Sequence, residues 1–155
     1  MDDMTGDFKE IVSRRDNRTL AMQLIYAHDI SPERPFDVLW NEILHMLNVD
    51  NLSESYNFAR ALCEGTIFHR SEIDSRLQSF LANWNFCRLT KVDLAILRMA
   101  FFEMLYFSDD VPAVVTINEA IELGKQYSSD DSRRIINGIL DQLRRHLQVD
   151  EKTRL

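Results

Sequence analysis

Apolar residues recur along nearly the whole chain at spacings of three and four, and few residues interrupt them. Gly and Pro, the strongest local breakers, number only four and three in 155 residues. A chain patterned this way can bury its apolar stripes only as amphipathic helices packed on one another. Residues 7–29 carry Phe8, Ile11, Val12, Leu20, Ala21, Leu24, Ile25 and His28 on such a stripe. Ser31-Pro32-Glu33-Arg34-Pro35 breaks it, and Pro35 suits the first turn of a second helix bearing Phe36, Leu39, Trp40, Ile43, Leu44 and Leu47.

Ser53 can cap a third helix through Tyr56, Ala59, Leu62, Cys63, Ile67 and Phe68. The pattern continues through Ile73, Leu77, Phe80 and Leu81 to Trp84. With Gly65 inside it, this is one long helix or two with a kink. Residues 83–89 read as a loop. Thr90-Lys91-Val92-Asp93 forms a variant capping box, with Asp where Glu is usual. It opens the most hydrophobic stretch, residues 94–107, expected as a central helix buried almost all round. Residues 111–117 are β-branched enough for a strand, but Pro112 followed by Ile117, Ala120, Ile121 and Gly124 favours a helix. After a turn at residues 127–131, Ile135, Ile136, Ile139, Leu140, Leu143 and Leu147 mark the last helix. The expectation is an all-α bundle of about seven helices, one domain over residues 1–155, with residues 1–7 a flexible acidic tail.

Several function classes are disfavoured. Cys63 and Cys87 make no disulfide framework and no CxxC. The acidic N-terminus has no apolar segment of a signal peptide, and no apolar run reaches the ~18 residues of a membrane span; a soluble, cytoplasmic protein is expected. His28, His45, His69 and His146 are scattered without ligand spacing, and the glycines are too dispersed to cradle a phosphate. No catalytic residue, metal site or cofactor is expected. Asp109-Asp110 and Asp130-Asp131 fall at helix boundaries, where carboxylates cap and complement the helix dipole.

The net charge of -7 argues at first against nucleic acid. Sorted along the chain, it is uneven. Residues 14–18 are net +2 through Arg14, Arg15 and Arg18 against Asp16, and residues 125–146 are net +2, whereas residues 1–13, 28–60 and 61–124 are acidic. Arg14, Arg15 and Arg18 share one side of a helix. Arg133 and Arg134 stand in the first turn of the last helix, where the dipole disfavours cations. If the first and last helices pack side by side, these five arginines form one phosphate-binding surface. Tyr127 beside them either stacks on an unpaired base or edges the core.

These residues carry an ordered set of motifs. Arg14-Arg15-Asp16-Asn17-Arg18-Thr19-Leu20-Ala21-Met22-Gln23-Leu24-Ile25-Tyr26 resembles the arginine-bearing first helix of the NusB family of bacterial transcription antitermination factors. Gly65, Ile73-Asp74, Leu77, Trp84, Arg88-Leu89 and Val92-Asp93-Leu94-Ala95-Ile96-Leu97-Arg98 resemble its middle. Ile117-Asn118-Glu119-Ala120-Ile121-Glu122-Leu123-Gly124-Lys125 and Asn137-Gly138-Ile139-Leu140-Asp141 resemble its C-terminal motifs.

The resemblance implies an all-helical fold of two packed helical subdomains and a non-enzymatic function. Family members bind the boxA element of ribosomal-operon RNA together with ribosomal protein NusE. They join elongating RNA polymerase and support antitermination and ribosomal RNA synthesis. By this resemblance Arg14, Arg15, Arg18, Tyr127, Arg133 and Arg134 are RNA-binding candidates, and Asp93, Asp130 and Asp131 partner-binding candidates. Asp16 departs from a position often basic, and Leu94 replaces a commonly basic residue. Two other readings remain: an interaction module that keeps NusE but has lost RNA contact, and the RNA-binding part of a ribosomal RNA methyltransferase, disfavoured by the lack of a methyltransferase domain. Some family members self-associate, so a homodimer is a further expectation, with Phe36, Trp40 and Phe107 either in its interface or in the core.

Overall fold

The computed structural model describes residues 12–49, 54–82 and 89–153. Among them are seven α-helices and one short 3-10 turn, with no strand: α1 (Arg14–Ile30), α2 (Phe36–Met46), the 3-10 turn Glu54–Tyr56, α3 (Asn57–Phe68), α4 (Arg70–Leu81), α5 (Lys91–Tyr106), α6 (Ala113–Tyr127) and α7 (Asp130–Thr153). The expected all-α architecture is present. The acidic tail, Ser53, Trp84, Cys87 and most of the expected 83–89 loop lie outside the described residues.

Local chemistry accounts for the helix boundaries. α1 starts at Arg14, because Ser13 and Asp16 form a capping box: the Ser13 hydroxyl accepts the Asp16 N–H at 3.0 Å, and the Asp16 carboxylate accepts the Ser13 N–H at 3.3 Å. Thr90 and Asp93 make the expected box at the start of α5. Pro35 and Pro112 are the N-cap residues of α2 and α6. Of residues 111–117, those from Ala113 onward open α6; β propensity yields to packing on α5 and α7. The long third pattern divides at His69, four residues past Gly65, with φ −95° and ψ 15°. Backbone bonding persists across the break, from His69 N–H to Gly65 O at 2.9 Å and from Ile73 N–H to His69 O at 3.0 Å.

α5 is the axis of the molecule. It packs on α1 and α3 on one side and on α4, α6 and α7 on the other. Its residues from Ala95 to Met104 are all buried. Each large apolar side chain so buried contributes about 1.5–3 kcal/mol. The two charges within that buried stretch, Arg98 and Glu103, are both answered from neighbouring helices. Arg98 donates to Asp74 of α4 from Nε at 2.8 Å and lies 3.7 Å from Asp29 near the end of α1. Glu103 accepts from Arg18 of α1. Arg70 closes the first network by donating to Asp29 at 2.7 Å. α1, α2 and α3 thus form one helical group and α4, α6 and α7 the other, with α5 between them.

Gly65 is required by the approach of α3 to α5. A Cβ on it would stand 2.1 Å from Cζ of the Phe102 ring. Asn17 supplies a cap that α3 lacks from its own N-cap Tyr56. Its Oδ1 accepts the Ala59 N–H at 2.9 Å, while its Nδ2 donates to the carbonyls of Ser13 and Ser55. One buried amide therefore fixes the start of α3 to the start of α1.

Candidate nucleic-acid interface

The capping box sets the first turn of α1 and places Arg14 and Arg15 on the surface beside the positive end of the helix dipole. The guanidinium of Arg14 lies 4.3 Å from the centroid of the Phe58 ring. Arg14 rests on this cation–π contact and makes no ion pair among the described residues. Arg15, with its side chain 63% exposed, donates from Nε to Glu119 Oε2 at 3.0 Å and from a terminal nitrogen to Oε1 at 3.1 Å. That hydrogen bond raises the Arg15 pKa above its ordinary value and lowers that of Glu119.

Arg18 is placed elsewhere than the arginine cluster suggests. Its side chain is only 4% exposed and meets the 1% exposed Glu103. Spacing on one face of α1 does not decide exposure, because α1 packs on both α3 and α5 and its third arginine falls into the seam between them. Arg18 therefore holds α1 to α5 and presents no donor to a surface ligand. Asp16 also has a structural task, since its carboxylate caps α1.

Asp93 is a second correction. It is completely buried. Its Oδ2 accepts the Thr90 N–H at 3.0 Å and the Ser132 hydroxyl at 2.9 Å, while Oδ1 is buried without a partner. The carboxylate joins the start of α5 to the start of α7 and does not face a partner. Ser129 completes the junction by accepting the Ser132 N–H at 3.2 Å.

The remaining candidates are reachable. Tyr127 ends α6 and is 39% exposed. Asp130 and Asp131 are exposed in the first turn of α7, where they complement its dipole. Arg134 is exposed and has no ion pair among the described residues. Arg133 pairs loosely with Asp130 at 3.5 Å, and its stem lies beside Gly124 of α6.

The two positive segments do not meet as neighbouring helices. The principal packing partners of α1 are α3, α5 and α2; those of α7 are α6, α5 and α4. α6 spans the gap instead. Glu119 touches Arg15, and Tyr127 lies eight residues further along the same helix, an axial distance of about 12 Å at 1.5 Å per residue. An extended nucleic acid of a few nucleotides covers that length. Sequence reasoning missed Phe58 and Asn17 as determinants of this surface. Glu119 was visible as part of the Ile117-Asn118-Glu119-Ala120 motif, but its partner stands 104 residues away in the chain.

Phe36, Trp40 and Phe107 are used in packing. Trp40 is buried, Phe36 stacks on it at 6.2 Å, and Phe107 meets the Phe58 and Phe102 rings edge-on. Burial pushes the Cys63 thiol up to about 12, which leaves it inert. No helix among the described residues is long and apolar enough to cross a membrane, and no group of His, Cys, Asp and Glu among them is placed to hold a metal ion.

Comparison with known proteins adds an independent line. The model of the NusB family matches residues 15–145. The transcription antitermination protein NusB of Geotalea uraniireducens is 42% identical over 137 residues, covering 84% of this chain and 93% of that protein. Its counterpart in Ligilactobacillus salivarius is 38% identical over 133 residues, covering 85% and 98%. Among solved structures, NusB of T. maritima superposes with a TM-score of 0.72 at 32% identity, covering 84% of this chain and 89% of that one. A structure of antitermination factors NusB and NusE in complex with dsRNA gives 0.71 at 25% identity, covering 83% and 93%.

Proposed function

The chain belongs to the NusB family, and from that premise we propose that it is a non-enzymatic transcription antitermination factor. It binds boxA-type RNA of ribosomal-operon transcripts together with ribosomal protein NusE, within the RNA polymerase antitermination complex, and supports ribosomal RNA transcription in the cytoplasm. The observation that carries this reading is the pair Arg14 and Arg15 in the capped first turn of α1. They are exposed cations at a helix N-terminus, where an anion is favoured twice over. Tyr127 and Arg134, reached along α6, extend the surface with a ring for base stacking and a further cation. Arg133 contributes its charge from the same turn.

Asp130 and Asp131, exposed at the start of α7, are the acidic residues offered to NusE. Asp93 acts behind them by holding Ser132 and so the angle of that turn.

A second reading is favoured by the burial of Arg18 and the pairing of Arg15. With one charge sealed in the interior and the other paired at the surface, the chain alone binds RNA weakly, and an interaction module that keeps NusE but has lost RNA contact is the alternative. Fluorescence anisotropy of labelled boxA RNA, with and without NusE over a salt series, separates the two. The first reading expects binding that weakens steeply with salt and tightens with NusE. The absence of any RNA shift at low salt, with NusE retained, favours the second.

A further inference from the structure

Glu119 sits in a family-like motif but has no assigned task in RNA binding, and its geometry is that of a competitor. Its two carboxylate oxygens accept from Nε and a terminal nitrogen of Arg15 at 3.0 and 3.1 Å. Those two parallel N–H groups are the fork with which an arginine grips a phosphate. A carboxylate and a phosphate cannot occupy the same fork. Glu119 also cancels the charge of Arg15, and Glu122 adds a second negative field at the same guanidinium.

The two partners differ in freedom. Glu119 is fixed in the middle of α6 with its side chain 17% exposed, whereas that of Arg15 is 63% exposed. Arg15 can turn outward on its long stem, but Glu119 cannot follow. Arg18 adds only a weaker positive field at Glu119, because its own charge is already answered by Glu103.

We propose that Glu119 is a built-in phosphate mimic that occupies Arg15 in the free protein and is exchanged for an RNA phosphate on binding. It sets the affinity and salt dependence of the surface. The exchange also breaks a link between α1 and α6, so RNA binding loosens one tie between the two helical groups. The inference rests on the proposed RNA-binding function and assigns that surface a brake.

The test is anisotropy of labelled boxA RNA with the full chain, at low salt, for the wild type, Glu119→Gln, Glu119→Asp, Arg15→Ala and the Arg15→Ala/Glu119→Gln double variant. Circular dichroism checks that each variant is folded. Glu119→Gln is expected to bind about twofold to fivefold tighter, the scale of one exposed ion pair. Glu119→Asp keeps the net charge but withdraws the carboxylate by one methylene, so a smaller tightening is expected. In the Arg15→Ala background, Glu119→Gln is expected to have no effect. Unchanged or weaker binding by Glu119→Gln overturns the proposal, the weaker case making Glu119 a support for Arg15. Equal tightening with and without Arg15 also overturns it, as a general charge effect. If no variant and no wild-type protein binds RNA, with or without NusE, the RNA-binding function itself fails, and the brake fails with it. Binding by Glu119→Gln where the wild type shows none supports both.

Discussion

Three arginines within five residues have three different environments. Arg14 lies over an aromatic ring, Arg15 is held by a surface carboxylate, and Arg18 is sealed against Glu103. Removing one partner of a buried pair strands the other charge and costs about 3–5 kcal/mol. Arg18→Ala is therefore expected to lower unfolding stability by that amount in denaturant titration. Arg14→Ala is expected to stay within about 0.5 kcal/mol of the wild type. Equal costs at the two positions would contradict the assignment of Arg18 to the interior. Acid provides a second test. The hydrogen bond from Arg15 holds the Glu119 carboxyl below its ordinary value. A carboxyl so lowered adds stability at pH above its unfolded value, and loses it as pH falls through the lowered folded value. Wild type should accordingly lose more stability than Glu119→Gln on acidification through the carboxylate range; parallel pH–stability curves would count against the pair. At this scale the residue types were legible in sequence, but exposure was not. The burial of Arg18 and Asp93 depends on which helices flank them.

Among the helices, the legible part was larger. The apolar stripes, the Thr90 capping box and the pairing of Arg98 and Glu103 with other helices all follow from local spacing and the cost of burying a lone charge. The break at His69 did not, because nothing in its type disfavours a helix and the division is set by packing. The two glycines at helix crossings make a paired prediction. Gly65→Ala places a methyl on the Phe102 ring, which is itself packed against His69, Tyr106 and Phe107. Overpacking of this kind costs about 1–3 kcal/mol. Gly124→Ala meets Cδ1 of Ile136, the movable end of a side chain, at 2.9 Å, and Cγ of Arg133 only at 4.0 Å, an ordinary contact. There the gain in helix propensity, about 1 kcal/mol, offsets the crowding. Thermal melts should show a clear drop in Tm for Gly65→Ala and little change for Gly124→Ala. The reverse order would contradict the close approach of α3 to α5. Asn17→Ala should also destabilise, by about 1 kcal/mol or more, since it uncaps α3 and frees the Ala59 N–H.

For the whole molecule, the surplus of acid is compatible with a nucleic-acid surface because charge is partitioned by helix. The arginine-bearing start of α1 and the start of α7 are separate in packing and are linked along α6. The prospect of five arginines on one face of two adjacent helices gives way to a smaller surface: Arg14 and Arg15 at one end, Tyr127, Arg133 and Arg134 toward the other. This relation was not legible in sequence, since it depends on the long-range placement of α6 between the groups. The central claim is that Arg14 and Arg15 carry phosphate contacts. Its most direct test is the salt dependence of boxA RNA binding, with NusE present, for the wild type and the Arg14→Ala/Arg15→Ala variant. Each lost phosphate contact on a single strand reduces the slope of log K against log salt by about 0.7, so the double variant should bind more weakly with a slope shallower by about 1.4. An unchanged affinity and an unchanged slope would contradict the account.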